Sequence, residues 1–138
     1  MKTYTIGELA ELFSIPASTL RYYEKEGILV HVEKNSSGQR IYTEEHVERL
    51  KGINCFKRTG MTISQIRTFF DYETDEAKHI DEIIALLEEQ EKQVNDHLSQ
   101  LLQDSEHVHR KVVFYQAVKD ALEKGQPRPR WEDGKKEG

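Results

Sequence analysis

Apolar positions in the first seventy residues come in short helical bursts separated by turn residues. Ile6, Leu9, Ala10 and Phe13 recur at spacings of three and four, which predicts an amphipathic helix over 5–13. Thr5 can cap it, with Glu8 three residues on in capping-box spacing. Ser14-Ile15-Pro16 breaks the pattern, and Pro16 suits the first turn of a new helix, where its missing N–H costs nothing. That helix is expected over 17–26 and stops at Gly27, the residue type that most readily takes a positive φ. Two short helices across a tight turn make a helix-turn-helix, with the small Ala10 at the crossing and Ile15 and Leu20 in the crevice. Two β-favouring runs, Ile28–Val30 and Gln39–Tyr42, flank a turn rich in Asn, Ser and Gly, so a hairpin wing is expected next. Thr43-Glu44-Glu45-His46 opens a third helix, although His46 stands where a capping box has Glu or Gln. Val47, Leu50, Ile53 and Phe56 form its stripe to about Thr59, and Gly60 ends it. A fourth helix, starting near Thr62 or Ser64, brings Ile63, Ile66, Phe69 and Phe70 to the same core.

From Ile80 the period changes. Ile80, Leu87, Val94, Leu101, Val108, Tyr115 and Leu122 fall every seven residues. The interleaved position alternates apolar and polar: Ile84, Glu91, Leu98, Ser105, Val112, Lys119. Such a repeat predicts a coiled coil, with Glu91, Ser105 and Lys119 weakening the seam and fixing its register. One helix over 77–123 would span roughly 70 Å at 1.5 Å per residue and could not bury this stripe alone. A homodimer is therefore expected, with Ile80, Ile84, Leu87, Val94, Leu98, Leu101, Val108, Val112 and Tyr115 in its interface. The alternative is a helix that folds back near Ser105. Residues 124–138 are rich in Pro, Gly and charge and read as a flexible tail, with Trp131 the one residue able to dock. The division expected is a head over 1–74, a coiled-coil helix over 75–123 and the tail over 124–138. The fold class is mainly α: a winged helix-turn-helix head with a small β-hairpin wing, followed by a long dimerising coiled-coil helix.

Composition fits this picture. Of 138 residues, 36% are hydrophobic and 33% charged, too polar for one large core but suited to a small core plus a solvated helix. No apolar run is long enough to span a membrane, and Met1–Ile6 begins no long apolar stretch, so neither a membrane segment nor a secretory signal is expected. A single cysteine permits no internal disulfide and points to a reducing cytoplasm. The net charge of −5 argues against a polyanion partner until its distribution is considered. Residues 1–71 hold 10 Lys and Arg against 9 Asp and Glu; residues 72–138 hold 10 against 16. The acidity lies in the second half, and a near-neutral head can bind phosphate if its cations share a face.

The second helix carries the candidate chemistry. Its N-terminal residues would enter a major groove first, placing Ala17, Ser18, Thr19 and Arg21 against DNA. Arg21 can pair bidentately with phosphate or with guanine. Tyr22 and Tyr23 offer hydroxyls to phosphate, the alternative being that one is core and the other plain surface. Arg40 is the main cation of the wing, either against the backbone or simply solvated.

These residues resemble the MerR family of transcription regulators. The match is carried by Ile6-Gly7-Glu8-Leu9-Ala10, by Thr19-Leu20-Arg21-Tyr22-Tyr23-Glu24, by Gly27-Ile28-Leu29, by Gly38-x-Arg40-x-Tyr42, and by 53–66 with its Gly60. It covers about the first 70 residues. The resemblance implies a homodimer on a pseudo-palindromic promoter, bending and untwisting an overlong spacer so that RNA polymerase can start, a readout through DNA shape. It implies Thr19, Arg21, Tyr22, Tyr23 and Arg40 as DNA contacts; Ser18, Tyr42, Lys57 and Arg58 join the candidate set. The wing departs from the family in having Gln39 where an aromatic usually stands, which puts one backbone contact in doubt.

The signal is less legible. Multidrug sensors of the family carry a large C-terminal domain, whereas residues 124–138 are too few for a pocket of usual size. Thiolate metal sensors carry cysteines near the end of the dimer helix, and this chain has none there, so no metal and no cofactor is expected. Cys55 remains. It falls opposite the stripe of its helix, with Lys51 at i−4 and Arg58 at i+3, cations that favour a reactive thiolate; Glu48 at i−7 counts mildly against it. A cysteine in this helix also resembles the branch that answers aldehydes, quinones or nitrosative stress. The competing reading is a small buried residue with no reactivity. His107 and His109 do not share a helix face and form no convincing metal site. Other readings are a regulator without a thiol switch (a constitutive repressor or small-ligand sensor) and a coiled-coil adaptor that binds protein. No nucleophile–base pair or phosphate loop supports an enzyme.

Overall fold

The computed structural model describes residues 2–132. Its elements run β1 (Thr3–Tyr4), α1 (Ile6–Phe13), α2 (Ala17–Lys25), β2 (Glu33–Lys34), β3 (Arg40–Thr43), α3 (Glu44–Arg58), α4 (Ile63–Glu73) and α5 (Glu76–Lys124). The chain forms two compact units, one ending at Gln93 and the other beginning at Val94.

In the first unit the helix boundaries follow from their caps. The Thr5 amide donates to the Glu8 carboxylate at 2.8 Å and the Glu8 amide to Thr5 Oγ1 at 3.1 Å, so α1 starts with two satisfied donors. Ser14 takes a left-handed φ of 54°, and the Ile15 amide returns to the Ala10 carbonyl at 3.0 Å, turning the chain into α2 within three residues. Thr62 and Gln65 make the same reciprocal pair at the start of α4. The start of α3 corrects the expectation that His46 leaves its box incomplete. His46 Nδ1 accepts from the Thr43 amide at 3.0 Å, as a Glu or Gln oxygen would. Nε2 must then carry the proton, and it donates to the Val30 carbonyl at 2.8 Å. One buried imidazole thus caps α3 and fixes the loop before the wing.

The expected strand at Ile28–Val30 does not form. Gly27 at φ 78° ends α2, and the amides of Ile28 and Leu29 both return to the Tyr23 carbonyl, at 3.0 and 3.2 Å. This hydrogen-bonded turn buries Ile28 and Leu29 completely as core, so their β-branched and apolar character reflects packing, not pairing. The wing strand is instead Glu33–Lys34, paired antiparallel to β3 with Glu33 opposite Ile41 and Lys34 opposite Arg40. On the other edge β1 pairs with β3, giving the order β1-β3-β2. β1 was not expected; two residues show no period.

The core gathers Leu9, Leu20, Leu50, Ile53, Ile66 and Phe70 from four helices. It also takes Ile83 and packs Leu86 from α5. Gln90 of the same helix is buried and donates Nε2 to the Thr59 carbonyl and to Thr59 Oγ1, both at 2.8 Å, closing the C-terminal end of α3. The first compact unit therefore takes in the start of α5 as far as Gln93. His79 interrupts α5 with φ −116° and ψ 17°, its ring 4.9 Å from that of Tyr72. The stripe used for this packing is not the heptad seam: Ile80, Ile84 and Leu87 stay exposed.

The second unit holds the rest of α5, helical through Ser105 with no fold-back there, and the chain that follows it. Gly125 at φ 67° ends the helix, and the Gln126 amide returns to the Ala121 carbonyl at 2.9 Å. The described part of the expected flexible tail then lies along α5. Trp131 meets Phe114 edge to face at 5.4 Å and His107 at 6.0 Å, with Lys111 Nζ 3.9 Å above its ring. Ring and cation–π contacts thus meet a segment whose composition alone predicts a free tail. Residues 133–138 of the expected tail lie outside the described residues. Leu98, Leu101, Val108, Val112 and Tyr115 are exposed here, and Val94 is half-buried.

Candidate nucleic-acid interface

The α2 helix presents two faces because its apolar positions are Leu20 and Tyr23. Ser18, Arg21 and Tyr22 lie on the exposed side, and Thr19 is half-buried beside them. Among the described residues Arg21 makes no ion pair, so its guanidinium is available to a phosphate or a base edge. Tyr22 is 45% exposed. Tyr23 is 2% exposed, and its ring belongs to the core, which corrects the expectation of two phosphate-facing tyrosines. Lys57 Nζ stands 5.7 Å from the centre of the Tyr23 ring, and this contact brings the end of α3 up to α2. Lys57 and Arg58 are both exposed there, in the last turn of α3.

The wing is tied to α2 through Glu24. Its carboxylate accepts from Arg40 Nε at 2.9 and 3.1 Å and from the Tyr42 hydroxyl at 2.7 Å. Tyr42 is fully buried, so its expected role as a DNA contact is corrected: burial and the bond to Glu24 occupy it. Burial, the hydrogen bond and the charge of Glu24 together hold the hydroxyl protonated well above the ordinary value of 10.0. Arg40 and Arg21 both oppose that shift, so both guanidinium groups lie within Coulombic reach of one hydroxyl. Arg40 remains partly exposed, its Nε spent on Glu24 and its outer nitrogens directed by that bond. Beyond it, Asn35 Oδ1 accepts from the Ser37 and Gln39 amides at 2.9 and 3.0 Å, and Gly38 takes φ 81°. Gln39 Oε1 accepts from Asn35 Nδ2 at 3.1 Å, so the residue that departs from the family pattern stiffens the wing tip.

Two arginines that the sequence does not single out hold the far end of α2. Arg67 Nε donates to the Glu26 carbonyl at 2.7 Å, and its terminal nitrogen pairs with the Glu26 carboxylate. Arg49 Nε donates to the Ile28 carbonyl at 2.7 Å and stacks 3.7 Å from the centre of the Phe70 ring. Both cations face the negative end of the helix. Glu24 sits inside the family motif, yet nothing in its spacing announced the role it plays. Cys55 is exposed on α3. Among the described residues no group of three or more His, Cys, Asp or Glu side chains is placed to hold a metal ion, and no helix is long and apolar enough to cross a membrane.

A recognition helix, a pinned wing and flanking cations on one small head define a winged helix-turn-helix DNA-binding protein. Residues 4–73 match the family model for MerR HTH family regulatory proteins, and 47–110 match the model described as MerR, DNA binding. The chain belongs to the MerR family, a non-enzymatic class of DNA-binding transcription regulators. It is 34% identical over 117 residues to an uncharacterized HTH-type transcriptional regulator of Haemophilus influenzae, covering 85% of this chain and 87% of that one. It is 36% identical over 76 residues to the regulator ZntR of Escherichia coli, covering 55% of this chain and 54% of ZntR. Among solved structures, HiNmlR, a MerR family regulator lacking the sensor domain and bound to promoter DNA, superposes with a TM-score of 0.78 at 33% identity. That likeness covers 91% of this chain and 97% of HiNmlR. A MerR family regulator from Bacillus thuringiensis superposes at 0.70 with 30% identity, over 81% of this chain and 98% of the other.

Glu24→Ala should lower the unfolding free energy by ~2–3 kcal/mol in urea titrations, since it leaves the buried Tyr42 hydroxyl without an acceptor. Glu24→Gln, which can still accept from Tyr42, should cost clearly less; equal losses in the two variants would show that the acceptor does not matter. Because the folded Tyr42 pKa is raised, its contribution is complete below about pH 10 and fades as pH climbs further.

Proposed function

We propose that the chain acts as a homodimer that grips and distorts promoter DNA, with Cys55 as an electrophile- or oxidant-responsive thiol. The carrying observation is the exposed apolar seam of α5. Ile80, Ile84, Leu87, Leu98, Leu101, Val108, Val112 and Tyr115 face solvent at coiled-coil spacing. A second copy is the partner whose own stripe matches that spacing. Two heads joined this way present two copies of α2 and two wings, and a duplex that meets both must adapt its twist and bend to their separation. The partners are then double-stranded promoter DNA, a second copy of the chain and RNA polymerase, in the cytoplasm.

Exposure of Cys55 favours the reactive reading over that of a small buried residue. Its helix also offers a short route outward. The Thr59 amide donates to the Cys55 carbonyl at 3.1 Å, and Thr59 in turn accepts from Gln90 of α5. An adduct on Cys55 would sit one turn from that junction. Lys51 is partly offset by Glu48, which it pairs with at 3.1 Å, leaving Arg58 as the nearer uncompensated cation on that side.

Three measurements test these points. Arg21→Ala should weaken binding to the operator by ~1–3 kcal/mol if the guanidinium reads a base edge; if it meets only phosphate, the loss should be uniform across sequences and the salt slope shallower by about one. Unchanged affinity and slope would remove Arg21 from the interface. In sedimentation, Leu98→Asp should shift the protein to monomer, and a variant that still runs as a dimer refutes the seam. For the thiol, transcription from the protein's own promoter in vitro is followed with and without diamide, for wild type and Cys55→Ala. A response lost only in Cys55→Ala supports the sensor, and the same behaviour in both dismisses it.

A further inference from the structure

The second unit forms a half-open cavity of about 490 Å³, within the range of small-ligand sites. Neither α5 nor the chain after it could form this space alone. Phe114 and Ala117 of α5 supply one side; Trp131, brought back by the turn at Gly125, supplies the other. The Phe114 and Trp131 rings meet at 76°, so the cavity offers a ring face beside a ring edge, the arrangement on which a flat aromatic group packs well. Of the described residues that line it, Arg130 brings a guanidinium group and Glu132 a carboxylate, while the Arg110 guanidinium is already engaged, His107 Nδ1 lying 3.4 Å away. Two more cations attend the same rings: Lys111 Nζ over Trp131, and the Arg128 guanidinium 5.4 Å from the centre of Phe114. Among the described residues Arg130, Lys111 and Arg128 thus stand against Glu132 around these rings, and an apolar slot with that balance favours a planar apolar anion.

The site also survives dimerisation. At 100° per residue, Arg110, Val113 and Ala117 lie roughly 130–170° around α5 from Val108, Val112 and Tyr115. A second copy on the seam would leave them open. We propose that this cavity is a binding site for a small planar aromatic anion, an aromatic carboxylate or sulfonate, clamped between α5 and the folded-back segment that ends in Trp131. Its lining includes neither Cys55 nor any residue of α2, and it would give the regulator a second input.

Trp131 is the chain's single tryptophan, so the indole signal comes from the cavity wall. The probe is anilinonaphthalene sulfonate, added to the full chain, with energy transfer from Trp131 read under selective indole excitation. Transfer should saturate in the wild type. Arg130→Glu should weaken binding about tenfold or more, the loss of a charge-assisted contact. Ala117→Phe, at an exposed helical position, should fill the cavity and abolish saturable transfer while circular dichroism stays unchanged. The neutral probe phenylnaphthylamine should bind about tenfold more weakly than the sulfonate. Saturable transfer of equal strength in wild type and both variants would place the probe on the apolar seam and overturn the proposal. Equal affinity for the neutral and charged probes would overturn its claim of anion recognition. Should Ala117→Phe misfold, Arg130→Glu and the probe pair still decide.

Discussion

The head works as a single instrument because one carboxylate, that of Glu24, joins the recognition helix to the wing. α2 and β3 already share a core through Leu20, Tyr23 and Tyr42, and the carboxylate fixes how the two short elements are set against each other. Glu24 accepts from a buried hydroxyl and a partly buried guanidinium at once. It is therefore a satisfied charge in a site where an unsatisfied one would be costly. The same bond takes Arg40 out of free solvent and sets the direction in which its remaining nitrogens point. Electrostatics in this head serve first to fix geometry, while Arg21, on the exposed face of α2, makes no ion pair among the described residues.

Much of this was readable from the residues, and the reasons are local. Helices α1, α3 and α4 announce themselves through stripes and caps, and those signals lie within one turn of each other. Tyr23 and Tyr42 mislead because a tyrosine two residues from an arginine looks like a phosphate ligand, while burial depends on distant partners, as the Glu24–Tyr42 bond across 18 residues shows. Ile28–Val30 looked like a strand because burial in a turn and burial in a sheet demand the same side chains. Arg49 and Arg67 could not be found at all. Their acceptors are main-chain carbonyls of Ile28 and Glu26, and a carbonyl leaves no trace in a sequence.

Helix α5 shows how one element can carry several stripes. Ile83, Leu86 and Gln90 serve the head; the heptad positions remain outward; and around Phe114 a third face receives the returning chain. A heptad count sees only the strongest of these. The two weaker stripes are short, and each is specific to one unit.

The arginines behind α2 carry one more implication. Because Arg49 and Arg67 bond to carbonyl oxygens, every residue type at positions 26 and 28 supplies the same acceptor. Changes at those two positions can alter packing and one ion pair but cannot delete the link; only changes at 49 and 67 can. The vulnerability of this joint is thus one-sided. In a lineage drifting toward new operators, substitutions at 26 and 28 would leave both acceptors in place, while the seating of the recognition helix is inherited from two positions on other helices.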